Sequence, residues 1–281
     1  MVVRIVTDST ADIPLAQARA LGISVVPLTV YFGEQAFLDA VELDTATFYQ
    51  KLQASPTLPR TSQPPPAKFQ EAYARLIEEG ADAIISVHVS SKLSGTYQSA
   101  CNGRDALPEA MKLVPIVVVD SESVSLGFGI PAMMAAEEAR QGQSLAEIEA
   151  RLRDRLARGR ILCTPATLEY LHRGGRIGAA KTLLGNMLSV KPILTFKDGI
   201  VVPVEQPRTR SKAYARIAQM IQEMGELESI VVIGSDDAVC EQLAQAVRQV
   251  YKGDLPMYKL GAVVGTYGGP GIVGVAMIAH P

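Results

Sequence analysis

Ala83-Ile84-Ile85-Ser86-Val87-His88-Val89, running straight into Ser90-Ser91-Lys92-Leu93-Ser94-Gly95-Thr96-Tyr97-Gln98-Ser99, decides the fold. A short, mainly apolar run rich in β-branched residues is what a strand buried on both faces of a parallel sheet requires. The hydroxyl-rich loop then lies at the carboxyl end of that strand, where open α/β sheets take their ligands. With a helix starting near Thr96, its free N–H groups and the neighbouring hydroxyls suit one small anion, a carboxylate or a phosphate. The plainer alternative is an ordinary helix cap.

The same logic extends outward. Val2–Val6 reads as a strand, Thr7-Asp8-Ser9 as a turn, and a helix follows from near Pro14 to Gly22. Ile23–Phe32 is strand-like, Asp44 can cap a helix through Leu52, and Phe69, Tyr73, Leu76 and Ile77 form a helical stripe ending at Gly80. Val114–Val119 is a second buried strand. Helices are predicted from Ala132 and from Ser144, whose Glu147 completes a capping box. This alternation predicts a doubly wound, mostly parallel α/β domain over residues 1–158.

In the remainder, Pro192–Phe196 and Ile200–Val204 flank a Lys197-Asp198-Gly199 turn. Helices over Ala213–Met224 and Val239–Val250 bracket the strand Ile230–Ile233. A second α/β domain, a mixed sheet with helices, is expected over residues 159–281, with a ligand cleft between the two. Gly261–Ala279 carries no formal charge and is long enough to span a membrane. Gly268-Gly269-Pro270-Gly271 interrupts it, so it reads as strand–loop–strand and no transmembrane segment is expected.

Composition removes several classes of function. The chain has 281 residues, 48% hydrophobic and 20% charged, with a net charge of −2 and interspersed signs. No field suits a long polyanion, and with 5% aromatics and no Trp there are few rings for stacking bases, so nucleic acid is not an expected partner. Cys101, Cys163 and Cys240 show no paired spacing. This argues against a disulfide framework or a cysteine zinc site, and for a reducing, cytoplasmic location. The first residues are too soon charged for a signal peptide.

Candidate chemistry is sparse. There is no P-loop, His-Glu-x-x-His or G-x-S-x-G, and Gly269–Gly274 fits G-x-G-x-x-G without the helix and acidic residue that must follow it. Pro59-Arg60-Thr61-Ser62-Gln63-Pro64-Pro65-Pro66 presents Thr61 and Ser62 from a stiff loop, or simply caps the next helix. Leu171-His172-Arg173-Gly174-Gly175-Arg176 sets two arginines around a glycine pair, suited to a carboxylate or phosphate, or to solvent. Arg208, Arg210 and Lys212 form a second basic cluster. His88 reads as a core or cleft residue, although a Ser–His–Asp arrangement with Asp8 or Asp120 is conceivable. Donors without an evident base favour binding over catalysis, so no catalytic residue, metal or cofactor is expected.

Taken in order, Thr7-Asp8-Ser9, Thr61-Ser62-Gln63-Pro64, Ser94-Gly95-Thr96-Tyr97-Gln98-Ser99, Leu171–Arg176, Lys191-Pro192-Ile193-Leu194 and Gly265-Thr266-Tyr267-Gly268-Gly269-Pro270-Gly271 resemble the DegV family from about residue 5 to residue 274. The resemblance implies a long-chain fatty acid held between two domains of a carrier subunit, whose carboxylate a separate fatty acid kinase converts to an acyl phosphate. It implies headgroup donors at Thr61, Ser62 and Ser94 with Gly95 close by. Arg173 and Arg176 fall at the pocket mouth, and with Arg208 they are candidates for contact with the kinase. The family has His where this chain has Tyr267, a hydrogen-bond donor without positive charge near neutral pH. The alternative from another class is a hydrolase or transferase acting on a small carboxylated or phosphorylated metabolite at the same anion site.

Overall fold

A computed structural model describes residues 1–186 and 190–281. In chain order its strands are β1 (Val3–Asp8), β2 (Ile23–Val26), β3 (Thr29–Phe32), β4 (Gln35–Leu38), β5 (Arg60–Ser62), β6 (Ala83–His88), β7 (Ile116–Asp120), β8 (Gly159–Thr164), β9 (Ile193–Lys197), β10 (Ile200–Glu205), β11 (Leu227–Gly234), β12 (Met257–Lys259) and β13 (Val273–Ala279). The α-helices are α1 (Leu15–Leu21), α2 (Thr45–Ala54), α3 (Pro66–Glu78), α4 (Thr96–Asp105), α5 (Leu126–Arg140), α6 (Leu145–Arg158), α7 (Glu169–Arg173), α8 (Arg210–Glu223), α9 (Asp237–Val250) and α10 (Ala262–Gly268).

Four strands form a wholly parallel sheet in the order β2-β1-β6-β7. Its strands alternate between two cores: Ile5, Ile85 and Val87 share one with α5 and α6, whereas Val6 and Ile84 share the other with Phe69 and Tyr73 of α3. Helices on both faces make it doubly wound, as expected. The second sheet runs β10-β9-β8-β13-β11-β12 and is antiparallel except for the β11–β12 pair. Its outer face packs on α8 and α9 through Ile217, Ile221, Leu243 and Val247. Its inner face turns to the first sheet, with α5 between, so that Phe128, Val231, Ile233 and Ala276 share one core. This is the two-domain α/β architecture that the sequence implied.

Several local devices act as read. Asp44 caps α2 through the Thr47 amide, Ser144 and Glu147 form the reciprocal capping box of α6, and Gly22 ends α1 with a left-handed φ of 73°. The β9–β10 turn places Asp198 and Gly199 at φ 51° and 75°, the two positive values that a two-residue hairpin demands.

Four expectations need correction. Ile23–Phe32 is not one strand: Pro27, which lacks a ladder donor, separates β2 in the parallel sheet from β3 in a small antiparallel sheet, β4-β3-β5. The Pro59–Pro66 segment is not only a loop, because Arg60–Ser62 pairs with β3. α5 starts at Leu126, six residues before Ala132, and takes Gly127, Gly129 and Pro131 inside it. The glycines are needed there, since a Cβ on Gly127 would collide with Ile161 and one on Gly129 with the Ala11 carbonyl. Finally, Gly261–Ala279 begins with α10 and only then becomes β13, the strand between β8 and β11. No helix of the described residues is long and apolar enough to cross a membrane.

Candidate functional site

Between the two sheets lies a cavity with, counting its mouth, about 1010 Å³ of space free of protein atoms. One wall is the first domain, with Val89, Leu93, Val124 and Leu126. The other is the second sheet and α10, with Leu194, Ile233, Val264 and Ala276. Gly274 of the wall is required by the adjacent strand, because a Cβ there would lie 2.5 Å from the Leu162 carbonyl and 2.6 Å from the Cys163 Cβ. The lining is aliphatic, as the low aromatic content foreshadowed.

Hydroxyl groups and one guanidinium gather at one end. Thr61, Ser94, Arg176 and Tyr267 all line the cavity. The Thr61 hydroxyl and the Tyr267 phenol share a hydrogen bond of 2.6 Å across 206 residues of sequence. Ser94 is held by its neighbours, 2.8 Å from the Thr96 hydroxyl and 3.3 Å from the Thr96 amide at the start of α4. Arg176 donates to the Leu93 and Gly174 carbonyls and lays its guanidinium 4.9 Å from the centre of the Tyr267 ring. The Arg-Gly-Gly-Arg pattern is thereby explained. A Cβ on Gly174 would collide with the Tyr267 ring, and Gly175 turns the chain at φ 74°.

The remaining candidates lie elsewhere. Ser62 is the next residue along β5 and so faces the opposite side; it is exposed and donates only to the Tyr31 phenol, at 3.4 Å. Gly95 precedes α4 outside the cavity, packed so closely on the Gln63 amide that a Cβ would lie 2.6 Å from it. Arg173 is exposed, pairs with Glu169 at 3.0 Å, and borders an outer hollow together with Arg60, Thr61, Arg176 and Tyr267. Arg208 is exposed in the segment before α8, away from both hollows. Sequence reasoning missed Thr10 and Ser125, which also line the cavity. Both stand in hydroxyl-rich segments at the carboxyl ends of parallel strands, Thr7-Asp8-Ser9-Thr10 at the end of β1 and Ser121-Glu122-Ser123-Val124-Ser125 after β7, the same signal that singled out Ser94.

Two buried carboxylates lie against the start of α10, which carries Tyr267. Asp12 accepts from the Gly261 amide at 3.0 Å and from the Ser125 hydroxyl at 2.5 Å. Asp39 lies beside the Ser9 hydroxyl and the Ala262 and Val263 amides, which favour its charged form. Loss of hydration raises both: Asp12 well above the ordinary carboxylate value, and Asp39 to about 6, with the charge of Asp8 adding to each.

A serine–histidine–aspartate arrangement does form. His88 Nδ1 lies 2.9 Å from Asp8 and Nε2 lies 2.7 Å from the Ser86 hydroxyl, which also accepts from the Tyr73 phenol at 2.8 Å. All four side chains are 0% exposed and none reaches the cavity, so this serine has no path to a substrate. The His88 ring packs edge-on against Phe69, 5.0 Å between centres, as a core residue does. Among the described residues, no three His, Cys, Asp or Glu side chains are grouped to hold a metal ion, and the three cysteines are free.

Fold and cavity together define a two-domain α/β protein with an apolar pocket between its sheets. A profile described as "Uncharacterised protein, DegV family" matches residues 2–280, and the chain belongs to the DegV family. A DegV domain-containing protein of Halalkalibacterium halodurans is 37% identical over 279 residues, covering 98% of this chain and 97% of that one. A solved DegV family protein from Thermus thermophilus, described by its fatty acid binding, superposes with a TM-score of 0.90 at 35% identity over 100% of both chains. DegV of Bacillus subtilis, described as a fatty acid binding protein, gives 0.87 at 33% over 100% of both.

Proposed function

We propose that this chain binds one long-chain fatty acid, tail in the inter-domain cavity and carboxylate at the Thr61–Ser94–Tyr267–Arg176 end, and presents that carboxylate to a separate kinase for acyl phosphate formation. The observation that carries the reading is an aliphatic cavity at one end of which Thr61, Ser94, Arg176 and Tyr267 gather, while the other lining hydroxyls, Thr10 and Ser125, are engaged by Asp8 and Asp12. A tail of about fifteen methylenes, at ~0.8 kcal/mol each, supplies roughly 12 kcal/mol of gross transfer energy, from which ordering costs subtract heavily. The tail gives affinity and the donors give orientation. Both similar solved proteins are described by fatty acid binding, which supports the same ligand class here.

Arg176 supplies the positive charge that Tyr267 lacks, and its contact with that ring keeps it beside the donors. Thr61, Arg176 and Tyr267 border both the cavity and the outer hollow, so a carboxylate among them faces outward. Exposed Arg173 and Arg208 offer contacts for the kinase, and the phosphoryl-transfer machinery belongs to that partner. In the test, protein purified from cells is examined by native mass spectrometry, then incubated with cell extract, ATP and hydroxylamine. A co-purifying mass matching a saturated or unsaturated acid of roughly C14–C20, trapped as its hydroxamate, is expected. An empty cavity that takes up no added acid overturns the reading.

Tyr267→His is expected to keep acid binding within about tenfold, because the imidazole restores a donor at the cost of the Thr61–phenol bond, and one hydrogen bond is worth ~1 kcal/mol. Fluorescent-acid displacement reads this directly. A collapse of affinity would show that the phenol serves some other ligand.

A further inference from the structure

The cavity shares lining residues with two surface features, and only one of them borders the headgroup donors. At the first, Thr61, Arg176 and Tyr267 are shared with the outer hollow. At the second, Ile161 and Phe196 are shared with a separate surface groove. The hollow and the groove have no lining residue in common, so they open on different parts of the surface. Among the described residues, these two side chains alone line both the cavity and the groove.

The two partition residues are held differently. Ile161 sits in β8 beneath α5, with its side chain where a Cβ on Gly127 would be and its carbonyl accepting from the Thr195 hydroxyl at 2.6 Å. Phe196 belongs to the β9–β10 hairpin, whose turn docks on the first domain through one hydrogen bond, from the Ser90 hydroxyl to the Gly199 carbonyl at 2.8 Å. Gly199 is required at that contact, since a Cβ would strike the Ser90 hydroxyl and lie 3.1 Å from the Lys92 side chain. Beyond the partition the groove is mixed and open to solvent, with Val119, Leu156 and Ala157 set among charged side chains such as Asp120, Arg160 and Lys197. A methylene carried past it stays partly in water.

We infer that Ile161 and Phe196 form the tail stop of the cavity and set the longest acyl chain the protein accepts. The inference rests on the fatty acid reading and deepens it to chain-length selection. Wild type, Phe196→Ala and Ile161→Ala are each delipidated and offered an equimolar set of saturated acids from roughly C14 to C24, and bound masses are compared by native mass spectrometry. Each newly buried methylene favours the longer acid about fourfold, the ratio that ~0.8 kcal/mol corresponds to. The dominant acid is expected to lengthen by roughly two to four methylenes in both variants, since part of the vacated volume is lost to relaxation. Either variant alone decides the matter if the other fails to give a cooperative melt. Acid-loaded variants with the wild-type length distribution overturn the tail stop while leaving the fatty acid reading intact. Wild type that takes up no acid overturns the reading itself.

Discussion

Replacing Thr61 and Ser94 together by alanine is expected to weaken binding of a long-chain acid about a hundredfold without altering the fold. Hydrogen bonds to a charged group are worth ~1.5–3 kcal/mol each, and two such bonds, partly replaced by water at the pocket mouth, leave a loss of about 3 kcal/mol. The fold is kept because Thr61 bonds the Tyr267 phenol, and Ser94 gives one long, cap-like contact to the Thr96 amide at the start of α4, whose loss costs about 1 kcal/mol. Tyr267 then loses its partner at a site open to solvent from the outer hollow, a small cost. Isothermal titration with a soluble acid, set beside a thermal melt, separates the two quantities. An affinity within threefold of wild type would remove the carboxylate from this end of the cavity.

The second large effect concerns stability and runs against the usual direction. A carboxyl whose folded value is raised binds its proton more tightly in the folded than in the unfolded state. Its contribution therefore favours folding at lower pH and is lost as pH rises. For Asp39, raised from 3.8 to about 6 chiefly by burial, that loss falls between those two values. At ~1.4 kcal/mol per unit it amounts to about 3 kcal/mol by neutral pH. Asp12 is raised as well and adds in the same sense. Glu228 and Asp154, held low by Arg155 and Arg158, act oppositely only below the ordinary carboxylate range. Calorimetric melts should accordingly show a Tm that rises on going from pH 8 to pH 5, and Asp39→Asn should flatten the rise. An unchanged slope in that variant would mean that Asp39 does not carry a raised value. Because both carboxylates lie against the start of α10, which bears Tyr267, their protonation acts on the wall of the binding cavity.

The elements that were legible in the sequence, most of them in the first domain, are those whose signals are local. A β-branched run that ends in a polar loop, Asp44 and Ser144 before their helices, and an Asp-Gly pair at a hairpin each specify backbone geometry within a few residues. The hydroxyl loops were legible for the same reason, as was Arg176 beside its glycine pair. What each of these residues faces was not. Thr61 and Ser62 are equivalent as sequence, yet the pleat of β5 turns one into the cavity and the other to solvent once Thr61 is registered against Val30.

Segments whose conformation depends on distant partners were misread. Gly261–Gly268 becomes helix where Asp12, over 200 residues earlier, accepts from the Gly261 amide at its start and Asp39 lies beside the next two amides. α5 extends through glycines because the opposing β8 and the Ala11 carbonyl leave no room for a Cβ. His88, with a serine and an aspartate in reach, is sealed in a core that only packing could create. Sequence by itself determined the buried parallel strands β1, β6 and β7 with most of the helices around them, the family resemblance and the donors available. Tertiary structure alone decided which donors converge, what borders the cavity and how α10 is held. These are contacts between residues that chain neighbours cannot bias, fixed only when two sheets close over one helix.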